Sequence, residues 1–150
     1  MSQPKLRKSA RELYEEMRAD APREAVLRTA VEELGVQQAD ADLLFDGFLQ
    51  WLAALPSHRA SDTDNHYVML KSDIDRIFHA FILNTSLYRD FCDKHLGHFV
   101  DHHPVIGDGD RADVESTVRV LRACYGEDLN PFLVIWERSL DQEAWKVSCN

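Results

Sequence analysis

Apolar residues along this chain recur at spacings of three and four, and no run shows the strict alternation of a half-buried strand, so the pattern predicts an all-α fold. Leu6, Ala10, Leu13, Tyr14 and Met17 mark a first helix, followed by an ADAP turn in which Pro22 sits where a first helical turn tolerates its missing N–H. A second stripe of Val26, Leu27, Ala30, Val31 and Leu34 runs to Gly35, whose freedom to turn left-handed ends it. From Gln38 to Leu55, Ala41, Leu44, Phe45, Phe48, Leu52 and Leu55 form one broad face, widened by Leu43, Leu49 and Trp51, and this helix is the expected core element. Residues 56–67, PSHRASDTDNHY, lack periodicity and read as a surface connection.

A fourth helix is expected from Lys71 or Ser72, with Ile74, Ile77, Phe78, Phe81 and Ile82 inward. Asn84, Thr85 and Ser86 compete for backbone hydrogen bonds, which predicts a break and a new helix from Leu87 to Gly97. The HHP and GDGD stretches that follow read as loop. A further helix spans Ala112 to Tyr125 with Gly126 as its stop, a short one runs from Pro131 to Trp136, and the remainder reads as tail. The expectation is one helical domain over residues 1–150, a single compact bundle of five to six helices.

With 150 residues, 45% of them hydrophobic, the chain can bury a sizeable core. The 17 basic side chains are outnumbered by 26 acidic ones, and a net charge of -9 repels phosphate backbones and anionic lipid, so nucleic acid and membranes are excluded as partners. A protein partner with a basic surface suits that charge better. No stretch approaches the roughly 20 apolar residues of a membrane span, and acids stand where a signal peptide would be apolar, which leads to the expectation of a cytoplasmic protein. Three widely spaced cysteines, Cys92, Cys124 and Cys149, fit reduced thiols rather than a disulfide framework.

The run HLGHFVDHHP at 95–104 holds four of the chain's 7 histidines. His95, His98 and His102 have helical spacing, but Gly97 and Pro104 interrupt a helix there, and no HExxH or paired CxxC is present. His79 differs, because it lies within the most apolar helix and has Asp75 one turn before it. Such a carboxylate can fix the imidazole tautomer and leave the other ring nitrogen for a metal or a hydrogen bond. A break at Asn84 to Ser86 would let Cys92 and a histidine of the HHP stretch fold toward His79, and His plus Cys ligation suits Zn, Fe or Cu. No G-x-S-x-G turn supports a hydrolase, GDGD lacks the strand and lysine of a phosphate loop, and VIGDGDRADVE does not follow the calcium-loop order.

Residues 75–104, DRIFHAFILNTSLYRDFCDKHLGHFVDHHP, resemble the core of the glycine-rich domain-containing protein-like family, with its pattern D-x-x-W-H-x-H-I-L-x-T-x-x-Y-x-x-D-C and then G-x-F-x-H-H-x-P. Asp75, His79, Ile82, Leu83, Thr85, Tyr88, Cys92, Gly97, Phe99, His102 and Pro104 fall on matching positions. The resemblance implies a compact helical domain and singles out Asp75, His79, Cys92 and His102. Phe78, Phe81, Phe91 and Asp101 depart from it, the second and fourth replacing histidines, and His95, His98 and His103 match nothing in it and read as surface residues.

Two functions are expected from these residues. The first is a non-enzymatic interaction or accessory module in which Asp75, His79 and His102 form a buried polar clasp. The alternative is a transition-metal-binding protein or metalloenzyme with His79, His102, Cys92 and Asp75 as the metal residues and Zn, Fe or Cu as the ion. The two missing histidines of the pattern favour the clasp.

Overall fold

A computed structural model describes residues 8–61 and 63–149, so Leu6 of the first predicted stripe lies outside the described residues. Helix α1 (Ala10–Asp20) starts at Ser9, whose side chain accepts from the Glu12 N–H while Glu12 reaches back to Ser9, a reciprocal cap. Helix α2 (Arg23–Leu34) stops at Gly35, which takes a φ of 74°. After a 3-10 turn, Gln38–Asp40, comes the 20-residue α3 (Ala41–Ala60), with Leu44, Phe45, Phe48, Leu49 and Leu52 in the centre of one continuous core. Helices α1, α2, α4 (Asp73–Leu83) and α6 (Arg111–Tyr125) pack around it. The all-α reading holds. Among the described residues there are seven α-helices, more than the five to six expected, and no helix is long and apolar enough to cross a membrane.

Helix α3 does not end at Pro56. It continues to Ala60, and this extra turn buries His58, which meets Ser116 of α6 at 3.0 Å. The composition of 56–60 looks like loop because only one face of that turn is covered.

The predicted break is present at Asn84 (φ -90°, ψ 63°), whose side-chain amide donates to Ala80 O and to Thr29 Oγ1. Helix α5 (Thr85–Leu96) begins two residues earlier than expected and ends at Gly97. Helix α7 (Pro131–Asp141) is capped by Asn130, and Asn130 also donates to Leu43 O, which docks this end of α7 on α3. Gly47 eases that close approach, since a Cβ there would lie 3.0 Å from Asn130 Oδ1 and press on it.

The expected tail is a strand. Strand β2 (Val147–Cys149) runs antiparallel to β1 (Met69–Leu70), pairing Met69 with Cys149 and Leu70 with Val147, and Pro104 bridges Cys149 from the other side. Val105 N–H donates to Ser148 O at 3.1 Å. Three residues are too few for alternation to be read in a sequence. Their structural consequence is to carry Ser148 and Cys149 to the first turn of α4.

Candidate functional site

Asp75 sits in the first turn of α4, just after the Ser72 cap, where the helix dipole favours a carboxylate. It is 6% exposed. Its Oδ2 accepts from Ser148 Oγ at 2.9 Å, but Oδ1 is buried with no hydrogen-bond partner among the described residues. Two imidazoles face that oxygen. His79, one helical turn along α4, has Nε2 3.6 Å from Oδ1, and His102, from the segment after α5, has Nε2 at 3.7 Å. The two Nε2 atoms lie 2.8 Å apart. Cys149 completes the group: ligand atoms of Asp75, His102 and Cys149 all lie within 4.8 Å of one another.

Local structure explains this convergence. The i, i+4 spacing on α4 stacks His79 over Asp75. The return segment is held by Tyr88, whose hydroxyl donates to Val100 O at 2.6 Å, and His102 packs on Phe78 with ring centroids 5.1 Å apart. His102 is the deeper imidazole, with 17% of its side chain exposed against 42% for His79.

Burial, and then the nearby His79, lower the pKa of His102, while Asp75 opposes them. The ring therefore favours its neutral form and keeps a lone pair. Burial, aided by the charge of Asp75, pushes the Cys149 thiol up to about 12 against a hydrogen bond from the Met69 backbone. A thiol so placed stays protonated unless a cation joins it. At 2.8 Å one imidazole donates its Nε2–H to the other's lone pair, which leaves Asp75 Oδ1 without a donor. A buried acceptor without a partner costs about 1 to 3 kcal/mol or more.

Asp75, His79 and His102 of the sequence-derived set thus meet at one point. Cys92 does not join them: it lies in the core on α5, beside Tyr88 and the Val100 backbone N–H, with its thiol pKa raised by burial. The break at Asn84 does turn α5 back, but the Tyr88 and Cys92 face packs under residues 97–100 rather than toward the first turn of α4. The thiol beside Asp75 and His102 is Cys149, which a reading of residues 137–150 as tail passes over. No periodicity in so short a segment signals its placement, which is set by pairing with Met69. Of the remaining histidines, His98 meets Arg59 and His103 lies near Asp101, both exposed. His95, expected at the surface, has a side chain only 5% exposed, with Nε2 2.7 Å from Asp20 Oδ1 and its ring against Phe91.

Two cavities flank the group. One of about 760 Å³ has Asp75 and His79 in its wall, and one of about 420 Å³ has Cys149 in its wall.

The model of the UCP032817-like family matches residues 14–133. The chain belongs to the UCP032817-like family. This corrects the resemblance to the glycine-rich domain-containing protein-like family, to which nothing in the comparisons points. The motif that suggested it has local causes in this fold: Asp75 with His79, and Tyr88 with Cys92, are i, i+4 pairs on inward helix faces, and Gly97 is a helix stop. Within the span matched to the UCP032817-like family lie Asp75, His79, Cys92 and His102, whereas Ser148 and Cys149 lie beyond it. No curated protein and no solved structure matches the chain significantly.

Proposed function

We propose that this UCP032817-like protein binds a transition metal of the zinc class, with Asp75, His102 and Cys149 as inner ligands and His79 as the outermost one. The observation that carries the reading is Asp75 Oδ1, a buried carboxylate oxygen with no donor, faced by two imidazole nitrogens. Zinc bonds of about 2.0 to 2.3 Å place tetrahedral ligand atoms roughly 3.3 to 3.8 Å apart; the 3.6 and 3.7 Å separations fall in that range, while the 2.8 Å between the two Nε2 atoms requires His79 to draw back on binding. The donor set of nitrogen, sulfur and one oxygen suits Zn, Fe or Cu and not Mg or Ca. A bound cation would also offset the cost of ionising Cys149. A reducing cytoplasm, where thiols persist, suits such a centre.

Tag-free protein, stripped with chelator and titrated with zinc by calorimetry, tests this. One equivalent is expected to bind, and zinc at about a hundredfold excess over Kd raises stability by about 2.7 kcal/mol. Asp75→Asn, His102→Ala and Cys149→Ser each weaken binding tenfold or more, by order of magnitude, while Cys92→Ser does not.

The 2.8 Å contact between the imidazoles supports a second reading, the clasp of a non-enzymatic accessory module whose acidic surface meets a basic partner. Zinc then gives no stabilisation, and His79→Ala costs about 1 to 3 kcal/mol in its absence.

A further inference from the structure

The larger cavity opens on the outer side of this centre. Its wall on α4 includes Asp75 and His79, and the facing wall is Phe132, Ile135 and Trp136 of α7, with Lys71 and Arg76 also lining it. At about 760 Å³ it has the size of a small-molecule site, which is usually apolar with a few polar anchors. Ile135 is 47% exposed and covered by nothing among the described residues. Trp136 is 2% exposed, and its buried indole N–H has no acceptor among the described residues. Arg76 is paired with Asp73 at 3.4 Å, whereas the Lys71 ammonium is in no ion pair among the described residues. The smaller cavity touches the centre through Cys149 alone.

We infer that the larger cavity binds a small organic carboxylate with an apolar body, its charged end between Lys71 and the His79 side of the centre and its apolar end on Phe132, Ile135 and Trp136. The inference rests on the metal reading for its inner anchor. One unpaired lysine flanked by Asp73 and Asp75 balances a monoanion and opposes a phosphate dianion. The apolar wall distinguishes the ligand from a bare anion.

Calorimetry of the full zinc-loaded chain with hexanoate, hexanamide, acetate and inorganic phosphate tests it. Hexanoate is expected to bind about tenfold or more tighter than the other three. Lys71→Ala and Ile135→Glu each weaken hexanoate about tenfold with zinc content unchanged. Zinc-loaded protein that ignores hexanoate, or binds it equally after both substitutions, overturns the cavity assignment and leaves the metal reading intact. Protein that takes up no zinc yet binds hexanoate in a Lys71-dependent way overturns the metal reading and supports the cavity.

Discussion

His58 shows how one residue type serves opposite ends in this molecule. Its ring is 5% exposed and meets Ser116 with no carboxylate in contact, and burial lowers its pKa, partly opposed by Asp113. The unfolded chain therefore takes up this proton more readily than the native one. Stability gained from the neutral ring is present above the unfolded value near 6.5 and is lost as pH falls below it, until the folded value is passed. Thermal melts between about pH 7.5 and pH 5.5 are expected to decline less steeply for His58→Gln, which keeps a hydrogen-bonding group opposite Ser116. Asp75 belongs to the same scale. Ser148→Ala removes the only side-chain hydrogen-bond donor to its carboxylate among the described residues, and a denaturant midpoint lower by the equivalent of about 1 to 2 kcal/mol is expected in metal-free protein.

Among the elements, the long apolar stripes of α3 and α4 were legible because each repeats its inward face over several turns, and the break at Asn84 was legible from side chains that rival the backbone. The extra turn of α3 was not, since Pro56, Ser57 and Arg59 carry loop composition while His58 alone goes inward. Strand β2 was not either, because its place depends on pairing with residues far away in sequence. The site divides along the same line: Asp75 and His79 follow from helical spacing and His102 from a return after the break, but the choice between Cys92 and Cys149 is made by tertiary packing. The junction of α3 with α7 gives a check on the packing. Gly47→Ala pushes a Cβ against Asn130 and against Ile74 Cδ1, 3.1 Å away, and should lower stability by about 1 to 3 kcal/mol in a urea titration.

For the molecule as a whole, a net charge of -9 acts on stability as well as on partners. Among the described residues many ion pairs are solvent-exposed, as between Arg28 and Glu24 or Arg111 and Glu115, and such pairs contribute little. Where self-repulsion of the excess acids outweighs them, screening it favours the compact state. Raising NaCl from about 20 to 200 mM is expected to raise Tm by a degree or two, and a fall would mean that the pairs dominate.

Strand β2 seats itself between Met69 and Pro104, and the Ser148 hydroxyl reaches a carboxylate 73 positions earlier in the chain. Contacts of such sequence separation form late, after local helices have paired. Helices α3 and α4 can thus collapse on one another while Asp75 still lacks both the Ser148 hydroxyl and the Cys149 thiol. Completion of the centre is then a late event in maturation, and an ion held there would mark chains that have finished folding.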